Sequence, residues 1–486
     1  MQSTGRTRRA ALLVLALAVA SPAAAQPAVQ RKVEARLAEA GPGPRFGLVV
    51  TDEAGRELVA INPDQRFIPA SNTKIFTTAA AFHVLGDVDG PDLAGGASVR
   101  LEGGRIPDVV LRGHGDARLS AAPDCVVNCL AALADAVAAK TRAVRHVVGD
   151  DSLYPDQRWA AGVSWEDLAT RYGTAASALT LDDNELVVRV QPGAPGAPPR
   201  VDHLGYLQID NRASTVQAGA TALRVDRLPG SDVVRLHGTI AASAGPAVLR
   251  LGIDDPAHFA AWRLKALLEA RGVRVAGAVS ARHRPARPAD DPAARAGAPP
   301  PRPPEPDALA RLTPPPLRDD LGEINKLSQN LHAELMLRRV GLHAGTGSIE
   351  DGLAAIEAML DRAGVPRASV DLSDGSGMSV YNRVAPRGVT TLLRWIAARP
   401  WGAAWRETLP VGGVDGTLAR RFRGGPLEGR VFAKTGTLSG TNALSGYLLA
   451  KSGRTLIFSA FANDVPEGVS GTKIIDAALE LIAAEN

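Results

Sequence analysis

Ser71 and Lys74 form a Ser-x-x-Lys pattern that can generate a serine nucleophile. Residues three positions apart share one face at the start of a helix, so the Lys74 amine can reach the Ser71 hydroxyl. A serine hydroxyl is a poor nucleophile until a base removes its proton, and a lysine can be that base when burial and nearby cations lower its pKa. Backbone N–H groups at the helix start can also stabilise developing negative charge. The pattern predicts covalent catalysis by Ser71.

The same spacing occurs a second time, at Ser470 and Lys473. This copy introduces the last predicted helix and is not followed by further motifs. We interpret Ser470 as a helix cap and Lys473 as a solvent-facing lysine.

A Ser-x-Asn motif lies at Ser328 and Asn330, beside a run of leucines typical of a helix. A hydroxyl and an amide two positions apart can face one cleft together. Ser328 could pass a proton to a leaving amine, and Asn330 could hold Lys74 and a substrate backbone. Taken alone, the pair could equally be polar residues on a helix surface.

A Lys-Thr-Gly-Thr motif, Lys434 to Thr437, lies in a run of strand-forming residues that begins at Val431. Lys434 supplies positive potential, and the hydroxyls of Thr435 and Thr437 can bind a carboxylate. Gly436 lets a ligand approach the backbone closely, and the Thr437 N–H can donate to an oxyanion. The alternative is an edge strand with an outward lysine that discourages aggregation.

The elements needed to position these motifs are recognisable at both ends of the chain. Residues 45–61 predict a hairpin, and Pro69 opens a helix that ends near Leu85. Residues 431–461 predict a three-stranded meander, followed by an amphipathic helix over 472–484. Hairpin and meander can form one sheet only if the chain ends meet, so the middle of the chain is predicted to be an excursion from one catalytic domain.

The middle of the chain has a different pattern, with short strands punctuated by Gly and Pro and helices near 126–140 and 256–271. It predicts one or two inserted α+β or β-rich domains. Three helices are expected afterwards, over about 318–342, 350–364 and 387–399. The predicted boundaries are a catalytic domain of residues 27–88 plus 317–486, an insert of 89–180 plus 250–283, a second insert of 181–249, and a Pro-rich linker or disordered loop of 284–316.

The N-terminus has the layout of a secretory signal peptide, residues 1–25. Arginines precede an apolar run, Ala10 to Ala20, and Ala23 to Ala25 supply a small-residue cleavage site. The run is short for a membrane anchor, and Arg8-Arg9 leaves Sec and twin-arginine export both open. The mature protein is therefore expected outside the cytoplasm.

Charge and composition exclude several classes of function. The 55 basic and 51 acidic residues nearly balance and form no dense basic cluster, so no nucleic-acid partner is expected. The same charge leaves peripheral envelope association open. The nine histidines show no metal spacing or Ser-His-Asp pattern, and no phosphate loop follows a strand, so no metal or other cofactor is expected. Cys125 and Cys129 could be bridged or free.

The order Ser-x-x-Lys, Ser-x-Asn, Lys-Thr-Gly is more specific than any one motif, and it resembles the set found in penicillin-recognising serine enzymes. The chain is similar to one group among them, the class C low-molecular-mass penicillin-binding proteins, a D-alanyl-D-alanine carboxypeptidase/endopeptidase family. The long separation of Lys74 from Ser328 belongs to this narrower match. Further matching segments are 111–116, 148–152, 172–173, 177–179, 374–379 and 381–383.

This resemblance implies an α/β (α+β) transpeptidase/β-lactamase-like domain, with an antiparallel sheet flanked by helices and two inserted β-rich domains. It implies acylation of Ser71 by peptidoglycan stem peptides, either ending in D-Ala-D-Ala or crosslinked, and by β-lactam antibiotics. Lys74 would be the base, and the N–H groups of Ser71 and Thr437 would form the oxyanion hole. Lys434, Thr435 and Thr437 would hold the terminal carboxylate. The implied location is the periplasm.

Three alternatives stay open on the sequence: a β-lactamase, a non-catalytic wall-binding protein on the same fold, and an esterase or D-amino-acid peptidase with the same nucleophile. Asp150 and Asp151 could lean toward the cleft from the insert, although an Asp pair after Gly is more often a turn.

Overall fold

The computed structural model describes residues 28–486, so the predicted signal peptide lies outside the described residues. The helices of this part of the chain are α1 Ala28–Ala38, α2 Lys74–Val84, α3 Leu130–Lys140, α4 Pro256–Ala270, α5 Leu317–Lys326, α6 Asn330–Ala344, α7 Ile349–Arg362, α8 Pro386–Ala397, α9 Gly402–Glu407 and α10 Gly471–Glu485. None of the described helices is both long and apolar enough to cross a membrane.

The strands fall into an N-terminal pair, a long middle series and a C-terminal meander. They are β1 Arg45–Asp52, β2 Glu57–Ile61, β3 Ser98–Glu102, β4 Asp108–Arg112, β5 Ala143–Val144, β6 Val147–Asp150, β7 Glu185–Gln191, β8 Arg200–Asp202, β9 Gln208–Asn211, β10 Ser214–Val216, β11 Ala222–Asp226, β12 Val233–Ala241, β13 Ala247–Gly252, β14 Arg274–Val275, β15 Val279–Arg282, β16 Ala310–Arg311, β17 Val370–Asp371, β18 Arg383–Val384, β19 Val431–Leu438, β20 Thr441–Leu449 and β21 Thr455–Asn463.

The chain ends meet in one antiparallel sheet of order β19-β20-β21-β1-β2. Strand β1 pairs with β21 along its whole length, from Arg45 opposite Asn463 to Asp52 opposite Leu456. Both strands are apolar on successive residues, as expected of strands covered on both faces. The predicted single sheet made from hairpin and meander is confirmed.

Helices cover both faces of this sheet. Helices α1 and α10 pack on one face, in a core that contains Val33, Phe458 and Leu479. Helices α2, α6, α7 and α8 form the core of the other face, around Phe76 and Leu392. The predicted antiparallel sheet flanked by helices is therefore present, and the segment 70–73 that leads into α2 packs against strand β19.

Strands β3 to β16 form the long excursion between α2 and α5. One mixed sheet has the order β15-β6-β4-β3-β16, and further sheets are built from β7, β8 and β13 and from β9 to β12. Helices α3 and α4 pack on them. The buried apolar residues of these sheets and their helices form one continuous cluster, from Ala97 to Val273.

The Pro-rich segment 284–316 is an extended connection tied to its surroundings at several points. Arg295 pairs with Asp351 of α7 at 2.7 Å, and Glu305 bonds to His114 of the excursion at 2.7 Å. The short strand β16 adds to the edge of β3.

Two local predictions are wrong. The single helix expected over about 318–342 is two helices, because the chain breaks at 327–329, where Ser328 adopts a φ of +62°. The helix expected from 126 begins only at Leu130, so both cysteines lie before it. They form a Cys125–Cys129 disulfide with a Cα–Cα distance of 5.8 Å.

Candidate active site

Ser71 lies in a 3-10 turn, Ala70–Thr73, which runs directly into α2. Ala70 before it has a φ of +47°, a conformation that L residues rarely adopt and that functional sites often contain. Gly377 packs against this turn so closely that a Cβ there would lie 1.9 Å from the Ala70 oxygen and 2.9 Å from the Ser71 nitrogen. The backbone conformation of Ala70 and the packing of Gly377 together fix the position of Ser71.

The Lys74 amine is fully buried and has three acceptors. Its Nζ donates to Ser71 Oγ at 2.9 Å, to Asn330 Oδ1 at 2.7 Å and to the Ser376 carbonyl at 2.6 Å. Burial lowers the pKa of Lys74 to about 7, although the charge of Asp374 opposes the shift. A lysine with this pKa is part neutral at neutral pH and can accept the Ser71 proton.

The helix break at 327–329 explains how Ser328 and Asn330 reach the same cleft. Asn330 is the first residue of α6, and its Nδ2 donates to the Tyr172 carbonyl of the excursion at 3.0 Å. The same amide thus accepts from Lys74 and donates to Tyr172. A helix running through 327–329 would not give Ser328 its left-handed backbone.

Lys434 is fully buried, so the alternative of an outward-facing edge lysine is excluded. Its Nζ donates to Ser328 Oγ at 2.9 Å and to the Thr435 carbonyl at 2.9 Å. Burial, followed by the nearby charge of Lys74, lowers the pKa of Lys434 well below its usual value. Asn72 Nδ2 bonds to the Lys434 carbonyl at 2.9 Å, which ties β19 to the Ser71 turn.

The rest of the Lys-Thr-Gly-Thr motif lies beside the Ser71 turn. A Cβ at Gly436 would lie 2.6 Å from the Pro69 oxygen, so glycine permits the close approach of β19 to the turn. Thr437 is exposed, and Thr435 is half-buried with its Oγ1 2.8 Å from Thr417 Oγ1. Sequence reasoning missed Thr417, which lies in a short 3-10 turn far from any motif.

The eight predicted site residues therefore lie together in one place. One hydrogen-bonded pair joins Lys434 to Ser328, and a second set joins Lys74 to Ser71 and Asn330. The arrangement combines a hydroxyl, a base of lowered pKa, a second hydroxyl beside a cation, and two threonines that are not fully buried. Such a set can attack a carbonyl, move the proton released and hold an anionic end of the substrate.

Sequence reasoning did not assign a role to three further groups around Lys74. Ser376 supplies the carbonyl, Asp374 holds its loop by accepting from Gly377 N and Ser379 N, and Glu334 accepts from Ser376 N at 2.9 Å. The segment 374–379 entered the sequence analysis only as part of the family resemblance. Glu334 follows Asn330 by one helical turn, and that spacing was its only signal.

Other candidates lie elsewhere. Asp150 pairs with Arg100 at 3.2 Å, and Asp151 bonds to His283 at 2.9 Å, so neither points to Ser71. Ser470 accepts from Lys473 N at 3.3 Å and caps α10, as predicted. Across residues 28–486, no group of three or more His, Cys, Asp or Glu side chains could hold a metal ion.

Comparison with known proteins gives one consistent relationship. The D-Ala-D-Ala carboxypeptidase 3 (S13) family profile matches residues 29–485. A D-alanyl-D-alanine carboxypeptidase of Actinomadura sp. strain R39 is 36% identical, over 94% of this chain and 87% of its own. A penicillin-sensitive carboxypeptidase A of Dictyostelium discoideum is 25% identical over 86% and 82%. The crystal structure of penicillin binding protein 4 of Haemophilus influenzae superposes with a TM-score of 0.77 at 23% identity, over 92% and 97%.

Proposed function

The chain belongs to the D-Ala-D-Ala carboxypeptidase 3 family of serine peptidases, and on that premise we propose that it hydrolyses D-alanyl-D-alanine bonds through an acyl-enzyme on Ser71. The family and the enzyme class inferred from the sequence are confirmed by these matches. The observation that most directly supports Ser71 as nucleophile is its 2.9 Å contact with a buried lysine whose pKa is about 7.

Acylation follows from the positions of the side chains. Lys74 accepts the Ser71 proton as Ser71 Oγ attacks the carbonyl of the penultimate D-alanine. The N–H groups of Ser71 and Thr437 stabilise the oxyanion. Ser328, which accepts a hydrogen bond from Lys434, passes a proton to the departing amine of the terminal D-alanine.

The terminal carboxylate of the substrate binds where the motif on β19 meets the cleft. The hydroxyls of Thr435 and Thr437 donate to it, and Lys434 supplies positive potential from beneath the strand. Water then hydrolyses the ester. A crosslinked peptide with an acidic group at the same place would use the same acyl-enzyme, so both carboxypeptidase and endopeptidase activity are included in the proposal.

The proposed setting is the periplasm, where an exported enzyme meets peptidoglycan stem peptides. The predicted signal peptide and the family's substrate class support this location. We expect β-lactams to acylate Ser71 and to leave slowly. One relative bears the name penicillin-sensitive carboxypeptidase A.

A direct test measures release of D-alanine from a stem peptide that ends in D-Ala-D-Ala, using the mature chain and its Ser71→Ala variant. The expected result is D-alanine release that the substitution abolishes. Release that survives Ser71→Ala would place the nucleophile elsewhere. No release, with rapid turnover of a β-lactam, would favour a β-lactamase. No reaction with either compound would favour a wall-binding protein.

A further inference from the structure

Glu334 is a buried ionisable group beside the Ser71 machinery that the proposed reaction does not use. It lies on α6, one turn after Asn330, and points toward the loop 374–379. Its Oε1 accepts from Gly375 N at 3.1 Å and from Ser376 N at 2.9 Å. Its Oε2 is buried and accepts no hydrogen bond from any described residue.

A single residue connects Glu334 to Lys74. Ser376 donates its N–H to Glu334 and accepts from Lys74 Nζ at 2.6 Å through its carbonyl. Thr77 of α2 also holds this loop, by donating to the Gly375 carbonyl at 2.7 Å. The loop therefore cannot move without moving an acceptor of the lysine.

We propose that Glu334 is a positioning residue of acylation, which fixes the loop 374–379 and, through the Ser376 carbonyl, sets the place and the protonation of Lys74. This inference rests on the proposed function. An unpartnered carboxylate oxygen is costly where it is buried, and its retention beside a base suggests a role for the charge as well as for the hydrogen bonds.

The charges around Lys74 and Glu334 determine how the acylation rate should depend on pH. Burial lowers the pKa of Lys74, and the charges of Asp374 and then Glu334 oppose that shift. Lys74 also lies near Lys434. Glu334 has a pKa raised to about 7 by burial and then by Asp374, while Arg338 opposes the shift. The two groups thus lose protons over the same range, and ionised Glu334 holds the proton on Lys74.

The experiment measures the rate of penicillin acylation against pH in the wild type, Glu334→Gln and Glu334→Ala. Glu334→Gln keeps an acceptor for the two N–H groups and removes the charge. Lys74 should then become neutral at lower pH. The increase of the acylation rate with pH should therefore occur at lower pH than in the wild type, and it should fit the loss of a single proton. Glu334→Ala removes the acceptor as well, and its rate should fall at least tenfold at every pH.

The control is Glu357→Gln, which removes an exposed carboxylate on α7 that pairs with Arg367. Its profile should match the wild type. A Glu334→Gln profile with an unmoved limb, whether the rate falls or not, would overturn the proposal, because a merely structural glutamate would not change the protonation of Lys74. Wild-type protein that forms no Ser71 adduct would instead refute the proposed function, so the two failures are distinguishable.

Discussion

At the scale of single residues, the site depends on burial that changes the chemistry of ordinary side chains. An exposed lysine keeps its proton at neutral pH, whereas Lys74 has no solvent access and three oxygen acceptors. Lys434 is buried as well, and its pKa is lowered by burial and then by the charge of Lys74. For Lys74 itself, burial makes the neutral amine accessible near neutral pH.

The lowered pKa of Lys74 predicts the pH dependence of acylation. Because only the neutral amine accepts the Ser71 proton, the acylation rate should rise with pH and reach half its maximum near pH 7. Stopped-flow measurement with a chromogenic β-lactam from pH 5 to 10 gives the profile. A midpoint above pH 9 would mean that Lys74 retains an ordinary pKa.

The hydroxyl of Ser328 can be separated from its backbone conformation by substitution. Ser328→Gly tolerates the φ of +62° and removes the whole hydroxymethyl side chain, so the hydroxyl is lost without straining the backbone. We expect Ser328→Gly to fold normally and to lose about 10²-fold or more in acylation rate, the range of a general acid–base group. Unchanged kinetics in this variant would exclude the proposed proton relay.

At the scale of elements, short irregular segments place the reacting atoms, and regular elements hold those segments in place. The Ser71 turn, the break at 327–329 and the loop 374–379 all leave regular structure, and two of them contain non-glycine residues with positive φ. The periodic elements were predictable because the apolar pattern of β1, β19 to β21 and α10 matches their burial.

The break between α5 and α6 was not predictable from that pattern, because Leu321, Leu331 and Leu335 continue a helical apolar repeat across it. Tertiary contacts decide it instead: Lys434 bonds to Ser328 and Tyr172 accepts from Asn330. The motifs identified the residues that come together, but Ser376 and Thr417 depend on contacts between distant segments, for which the sequence gives no spacing rule.

Because Gly377 packs closely against the Ser71 turn, we expect that adding one methyl group at this position strongly lowers the acylation rate. Gly377→Ala would place a Cβ against Ala70 O, so the turn must move and acylation should fall at least 10²-fold. Gly453→Ala is the matched control, since Gly453 has nearly the same positive φ but open space around its Cβ position. Equal acylation rates in the two variants would show that the close packing of Gly377 is not needed.

At the scale of the whole molecule, the excursion is bonded to the catalytic domain directly beside the site. Asn330 reaches Tyr172, and His332 two residues later bonds to Asp183 at 2.9 Å and lies 3.4 Å from Asp320 of α5. The excursion therefore lies directly beside the site, and its hydrogen bond with Asn330 helps to hold that side chain in place.

The His332 contacts predict a loss of stability at alkaline pH. Although burial opposes it, the bonds to Asp183 and Asp320 raise the pKa of His332 to about 9. Because the folded-state pKa is above the unfolded value, this contribution is complete below about pH 6.5 and disappears as pH rises through about 9, with a size on the order of 3 kcal/mol.

Thermal unfolding between pH 6 and 10 tests this contribution. Tm of the wild type should fall across the range by more than Tm of His332→Gln, while His237→Gln, which alters an exposed pair with Asp226, should follow the wild type. Parallel curves for the wild type and His332→Gln would contradict a charged His332.

The mass of the intact protein after incubation with a penicillin shows whether Ser71 is the acylated nucleophile. We predict one persistent adduct per mature chain, located by peptide mapping on the segment that contains Ser71 and absent from Ser71→Ala. An adduct that persists in Ser71→Ala, or one that maps to another serine, would contradict this prediction.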